Sequence, residues 1–88
     1  MTRPSERTVE LLYFAAVADL VGRAAESVVL PEPVTCVARL SEYLQDVRPN
    51  LRGRLEGVRF AVNEAFADAQ TPIASGDVVA LLPPSSGG

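Results

Sequence analysis

The chain has 88 residues, which is enough for one small domain. Eight basic and eleven acidic residues give a net charge of −3, which argues against a nucleic-acid-binding module, because such a module needs a basic face. One cysteine and no histidine exclude an internal disulfide and a Cys–His zinc site. No apolar run approaches the roughly 20 residues of a membrane span, and the polar start of the chain lacks the apolar region of a signal peptide. We therefore expect a soluble cytoplasmic protein.

The first third of the chain predicts two strands joined by a short helical turn. Residues 8–14 and 27–30 are rich in β-branched, aromatic and aliphatic side chains, which favours strands. Between them, three apolar residues precede Gly22, a pattern typical of a short helical turn that ends at a glycine. Because the connection is short, we expect the two strands to pair antiparallel.

The middle of the chain predicts the main helix, over Val37–Val47. Its apolar residues are spaced 3, 4 and 3 apart and form one helix face: Val37, Leu40, Leu44 and Val47. The hydroxyl of Thr35 is expected to cap the helix start, and Pro49 to end or kink it. Cys36 has apolar neighbours and is interpreted as a buried small hydrophobic residue.

The last third of the chain predicts three more strands: residues 58–62, a short edge strand after a turn at 63–66, and Val78–Leu82 after a turn at 75–77. The final strand is continuously apolar, which favours a central position. The order β-β-α-β-β-β predicts an α+β fold of the β-grasp, or ubiquitin-like, type, with four to five strands in a mixed sheet and one main helix across it. In that arrangement the first and last strands lie parallel in the middle of the sheet. We expect a disordered N-terminal extension over residues 1–7, the domain over 8–82 and an extended tail over 83–88.

The tail ends in a diglycine, Gly87-Gly88, behind two prolines and two serines. Glycines have no side chain, so such an end can enter a narrow channel in another protein, and its terminal carboxylate is the one reactive group at the tip. The two prolines hold the tail away from the domain. A flexible terminus without a role is the alternative interpretation, and the tail alone does not exclude it.

Several short segments, in order, resemble the small subunit of molybdopterin synthase, a MoaD-type sulfur carrier. They are residues 12–16, residues 20–22, the Val62-Asn63 turn, Gly76-Asp77 and the tail from Leu82 to the diglycine. The resemblance implies that a ubiquitin-activating-type enzyme uses ATP to adenylate the carboxylate of Gly88. A sulfur donor enzyme then converts it to a thiocarboxylate. The carrier with its thiocarboxylate docks on the large synthase subunit, and the two form a heterotetramer. There it passes its sulfur to a cyclic pterin precursor, a step of molybdenum cofactor biosynthesis.

The same resemblance assigns the site residues. The reactive group lies on Gly88, preceded by Gly87, and partner binding is assigned to Phe14, Leu82, Pro83, Pro84, Ser85 and Ser86. For Phe14 and Leu82, ordinary core packing is the alternative. The carrier is expected to bind no cofactor and no metal itself. Three other functions remain open: a thiamine-pathway (ThiS-like) sulfur carrier, a ubiquitin-like protein modifier, and a non-catalytic β-grasp binding module.

Overall fold

The computed structural model describes residues 6–84, which form a mixed sheet with helices on one side. Their elements in chain order are β1 (Arg7–Tyr13), α1 (Ala15–Val21), β2 (Ala25–Leu30), α2 (Val37–Val47), a 3₁₀ turn (Pro49–Leu51), β3 (Arg59–Val62), β4 (Ala65–Ala67) and β5 (Val78–Leu82). The five strands, the main helix and their order agree with the sequence prediction.

The sheet has the strand order β2-β1-β5-β3-β4. The central pair, β1 and β5, is parallel, and the other neighbouring pairs are antiparallel. The first and last strands therefore lie side by side in the middle of the sheet, which confirms the predicted β-grasp arrangement. The C-terminal tail starts at this central position, because it follows β5 directly.

One side of the sheet packs against α2 and forms the hydrophobic core. Val37, Leu40 and Leu44 of α2 are buried, as their spacing predicted. They belong to one cluster with buried residues from the strands, the 3₁₀ turn and the loops, among them Val9, Leu11, Leu51, Phe60, Val79 and Leu81. Within residues 6–84, neither helix has the length and apolar character that a membrane span requires.

The predicted boundary between the N-terminal extension and the domain is wrong by one residue. Arg7 was assigned to a disordered extension, but it is the first residue of β1. Its guanidinium donates to the carbonyl oxygens of Val34 (2.6 Å), Pro31 (2.8 Å) and Glu32 (3.0 Å), which fixes it against the loop that follows β2. The start of the strand therefore depends on contacts with a loop distant in sequence. Residues 1–5 of the same predicted extension lie outside the described residues.

The bounds of α2 agree with the prediction, but its N-terminal cap does not. The residue at the helix N-cap is Cys36, not Thr35, and no side chain hydrogen-bonds to the cap. The first helical N–H groups are instead satisfied by the backbone, since Val37 N donates to Thr71 O and Ala38 N to Ala69 O, each at 3.0 Å. Cys36 is half-buried rather than fully buried. The loop before β5 thus replaces the hydroxyl cap.

Candidate functional site at the root of the tail

The tail leaves the sheet at the end of β5. Leu82, the last residue of β5, is paired with Arg59 of β3. On the other side, the N–H of Phe14 donates to Leu81 O at 3.2 Å. Pro83 and Pro84 have no N–H to donate, so the ladder cannot continue through them. The remaining predicted site residues, Ser85, Ser86, Gly87 and Gly88, lie outside the described residues.

The strands of the sheet present alternate residues to two different faces. In β1, Val9, Leu11 and Tyr13 are buried in the core, whereas Thr8, Glu10 and Leu12 between them are exposed or half-buried. In β5, Val79 and Leu81 are buried, and Val78, Ala80 and Leu82 are not. We call the face that carries the less buried residues the open face.

A row of apolar residues crosses the open face from one edge of the sheet to the other. The strand register aligns one residue from each strand: Ala25, Leu12, Ala80, Ala61 and Phe66. Ala80 and Ala61 lie between two large members of the row, Leu12 and Phe66. Strands lie about 4.8 Å apart, so these two side chains stand roughly 14 Å apart across the sheet. The row therefore forms a shallow trough with an alanine floor.

The neighbouring positions toward the tail add two more large apolar side chains. Because Tyr13 is paired with Leu81 and Phe14 is extended, Phe14 lies beside Leu82. Phe14 is 44% exposed and Leu82 is half-buried, so Phe14 is not a core residue. Phe66 is 64% exposed. We define the tail-root patch as Leu12, Phe14, Ala61, Phe66, Ala80 and Leu82.

The part of the open face farther from the tail is mostly polar and already hydrogen-bonded. Ser27 Oγ donates to Glu10 Oε1 at 2.6 Å. Asn63 Nδ2 donates to Asp77 Oδ1 at 3.0 Å, and Asn63 Oδ1 accepts from the N–H of Val78 at 2.9 Å. The large apolar residues of this part are Val29 and Val78, whereas the exposed aromatic residues of the open face, Phe14 and Phe66, lie next to the tail.

One cation lies on the edge of the tail-root patch. The guanidinium carbon of Arg59 is 3.9 Å from the centre of the Phe66 ring, a cation–π arrangement. Arg59 is exposed and is the strand partner of Leu82. No carboxylate of residues 6–84 lies within salt-bridge distance of it.

The backbone at Phe14 is held by an unusual turn. Phe14 is the N-cap of α1, and its carbonyl oxygen accepts the N–H of Val17 at 3.0 Å. Ala15 follows with φ +50°, in the left-handed region that residues with a Cβ rarely adopt. Such strain persists only where the surrounding structure enforces it. Here it directs the chain from the central strand into α1 and leaves the Phe14 side chain exposed.

A charged cluster on the core side supports the same end of β1. The hydroxyl of Tyr13 donates to Glu26 Oε2 at 2.5 Å, and Arg48 at the end of α2 donates to both oxygens of Glu26. Burial opposes ionisation of Glu26, whose side chain is 7% exposed, but the hydrogen bonds from Arg48 and Tyr13 outweigh it and lower the pKa of Glu26. Burial and the Glu26 carboxylate both raise the pKa of Tyr13. This cluster connects β1, β2 and α2 directly behind Phe14.

The sequence prediction includes only Phe14 and Leu82 of the tail-root patch, and the most exposed side chains that it omits are Phe66 and Arg59. The signal was present in the register, because a two-residue turn at Asn63-Glu64 places Phe66 opposite Ala61. The sequence of each strand alone does not show which face Phe66 lies on. Only the pairing of residues across the hairpin places Phe66 on the open face.

Comparison with known sequences gives a consistent family. A model described as the ThiS family matches residues 11–88. The molybdopterin synthase sulfur carrier subunit of Mycobacterium tuberculosis is 35% identical over 80 residues, which cover 91% of this chain and 96% of that protein. The human protein of the same description is 30% identical over 83 residues, covering 91% of this chain and 93% of that one. The likeness spans nearly the full length of both relatives.

Comparison with solved structures gives the same fold in two settings. One chain from a complex of subunits 1 and 2 of the molybdopterin-converting factor of Helicobacter pylori superposes with a TM-score of 0.67 at 27% identity, covering 92% of this chain and 99% of that one. SAMP1 from Haloferax volcanii superposes with a TM-score of 0.78 at 26% identity, again covering 92% and 99%. The first setting is a two-subunit complex, and the second is a small archaeal modifier protein.

Proposed function

Because this chain belongs to the ThiS family and its homologues are molybdopterin synthase sulfur carrier subunits, we propose that it carries sulfur on its C-terminus for a molybdopterin synthase. The carboxylate of Gly88 attacks ATP on a ubiquitin-activating-type enzyme, releasing pyrophosphate and leaving an acyl-adenylate. Sulfide-level sulfur from a donor enzyme then attacks the acyl carbon and displaces AMP, which leaves a thiocarboxylate. The carrier with its thiocarboxylate passes this sulfur to a cyclic pterin precursor on the large subunit. We include in this proposal that the protein acts in the cytoplasm, where ATP is available.

The observation that carries the proposal is the position of the tail relative to the patch. The tail starts from a central strand, directly beside Leu82 and Phe14. A partner that covers the tail-root patch therefore also surrounds the start of the tail. Six extended residues reach roughly 20 Å, so residues 83–88 can carry a carboxylate from this surface into a partner's interior.

The proposed partner at the patch is the large subunit of the synthase. The structural likeness to one chain of the Helicobacter pylori two-subunit complex supports it. Exposed aromatic side chains beside small residues are typical of the buried centre of an interface. We extend the predicted docking residues Phe14 and Leu82 by Phe66, and we include in the proposal a heterotetramer of two carriers and two large subunits.

Reconstitution with a defined set of components tests the function. The full chain, ATP, the activating enzyme, a sulfide source and the large subunit should convert the cyclic pterin precursor. The intact mass of the activated chain should rise by the difference between sulfur and oxygen. Deleting Gly88 moves the carboxyl carbon by about 3.3–3.6 Å, a displacement as large as the distance allowed between reacting atoms, roughly 3–3.5 Å. The truncated chain should therefore be inactive.

The matched control is the unfolding temperature of the same truncated chain. It should equal that of the wild type, because the domain core lies within residues 9–81. Full turnover by the truncated chain would show that the tail carries no sulfur and would leave a binding module.

A protein modifier is the second candidate, favoured by the likeness to SAMP1. A modifier uses the same adenylate but forms an isopeptide bond to a lysine of another protein. Mass spectrometry separates the two candidates, because a carrier shows a thiocarboxylate on its own terminus and a modifier shows the chain attached to other proteins. Complementation of strains that lack the molybdenum or the thiamine carrier then separates the two sulfur-carrier pathways.

A further inference from the structure

The side chain of Arg59 contacts the Phe66 ring and is otherwise exposed. The guanidinium carbon of Arg59 lies over the Phe66 ring, 3.9 Å from its centre. Its N–H groups point along the edge of the guanidinium plane and remain free to pair, since no salt bridge to Arg59 exists within residues 6–84. A guanidinium stacked on an aromatic ring is already held in one orientation, so little freedom is lost when a carboxylate binds its edge.

The location of Arg59 makes an unpaired charge costly once a partner is bound. Arg59 is the strand partner of Leu82 and contacts Phe66, so it borders two members of the tail-root patch. A partner that buries these two residues removes water from the guanidinium as well. Burying a cation is unfavourable unless an anion or several hydrogen-bond acceptors replace the lost water.

We propose that Arg59 is a specificity-determining residue that pairs with a carboxylate on the large synthase subunit, beside the entrance that receives the tail. This inference rests on the proposed function and adds the chemistry of the partner surface: an apolar area for the trough and the aromatic residues, and an Asp or Glu opposite Arg59.

Titration of the carrier with the large subunit of the same organism, at low and high salt, tests the pairing. Arg59→Glu should weaken binding at least tenfold at low salt, because it opposes two negative charges. Arg59→Met keeps an apolar contact with Phe66 but removes the charge, so it should bind several-fold more weakly and with a flatter salt dependence. Arg59→Lys should fall between Arg59→Met and the wild type, because it keeps the charge but not the planar edge.

The matched control is Arg39→Glu, which makes the same change of charge on an exposed residue of α2. It should change the affinity less than twofold. Circular dichroism and the unfolding temperature should show that each variant is folded.

The outcomes are distinct for the inference and for the function. If the wild type binds and Arg59→Glu binds equally well, or if Arg39→Glu weakens binding as much as Arg59→Glu, the pairing is wrong and the carrier function stands. If the wild type does not bind the large subunit at all, the proposed function fails and the pairing falls with it. Rescue of Arg59→Glu by changing one acidic residue of the large subunit to lysine would identify its partner.

Discussion

The two faces of the sheet are built from the same strands but differ in how far their side chains are buried. On the face that packs against α2, alternate residues such as Val9, Leu11 and Leu81 are almost completely buried. On the open face, their chain neighbours Leu12 and Leu82 are only half-buried although they are just as apolar. Apolar character alone therefore does not distinguish a face that the chain covers from one that it leaves open. What distinguishes them is whether the chain has an element of its own to cover the face.

Within the open face, the polarity of the side chains changes along the strands. Polar pairs such as Ser27 and Glu10 lie away from the tail, and the tail-root patch lies beside it. Val29 and Val78 are also exposed away from the tail, but both exposed aromatic residues, Phe14 and Phe66, lie in the tail-root patch. The asymmetry fits a partner that covers the tail root first.

The largest expected effect on stability comes from truncating a buried side chain on the face that packs against α2. Leu40 of α2 has no exposed surface. Leu40→Ala should lower the free energy of unfolding by about 2–5 kcal/mol, the cost of truncating a buried leucine. Urea denaturation followed by circular dichroism measures it. Val47→Ala on the same helix, where Val47 is 42% exposed, is the control and should cost about 1 kcal/mol or less. Equal costs for the two changes would contradict the packing of α2 described above.

The second effect concerns the open face. Phe66→Asp should weaken binding of the large subunit by a factor of about 100, equivalent to about 2.7 kcal/mol, because an exposed aromatic residue at the centre of an interface is a typical hot spot. Phe14→Asp and Leu82→Asp should act in the same direction. Each variant should remain folded, which calorimetry of the isolated carrier checks.

Val29→Asp is the matched control for the open face. Val29 is 50% exposed and lies on the same face, at the edge strand β2 and opposite Thr8, far from the tail. It should leave binding within about twofold of the wild type, a difference of about 0.4 kcal/mol. If it weakens binding as much as Phe66→Asp, the docking surface covers the whole face and is not confined to the tail root.

The third effect is pH-dependent and concerns the cluster behind Phe14. The pKa of Glu26 lies below its usual 4.5 in the folded protein, so its ionised form stabilises the fold above pH 4.5, and this contribution is lost as the pH falls through the folded pKa. Glu26→Gln should therefore cost about 1–3 kcal/mol at pH 7, since hydrogen bonds to a charged group are replaced by weaker ones.

Denaturation curves at several pH values measure the Glu26 effect. The difference between wild type and Glu26→Gln should shrink as the pH falls below 4.5. Glu42→Gln is the control, because Glu42 forms an exposed pair with Arg39. It should change stability by less than about 1 kcal/mol at any pH. A constant difference for Glu26→Gln across the pH range would show that its charge does not contribute.

Much of this architecture was accessible from the sequence, and the reason is local periodicity. The 3-4-3 spacing of α2 specifies a helix, and the structure buries Val37, Leu40 and Leu44 of that face but leaves Val47 exposed. The continuous apolar run of β5 specifies a central strand, which the structure confirms, although only alternate residues of the strand are buried. Features set by contacts distant in sequence were not accessible. The order of Arg7 depends on carbonyl groups of the loop after β2, and the start of α2 depends on the loop before β5. Phe66 was missed for the related reason that its face is defined by pairing across a hairpin.

The smallest predicted effect tests the hairpin that places Phe66 on the open face. Asn63 and Glu64 have φ of +52° and +71°, the conformation of a two-residue turn in which glycine is preferred. A residue with a Cβ in this region costs roughly 1–2 kcal/mol, and the extra unfolded-state freedom of glycine removes about 0.5–1 kcal/mol of the gain. Glu64→Gly should therefore stabilise the domain by about 0.5–1 kcal/mol, seen as a higher urea midpoint with an unchanged slope. Glu64→Ala keeps the Cβ and should give almost no gain, so equal stabilisation by both would assign the effect to lost charge and not to the turn. Binding of the large subunit should be unaffected by Glu64→Gly, because the register that sets Phe66 opposite Ala61 is retained.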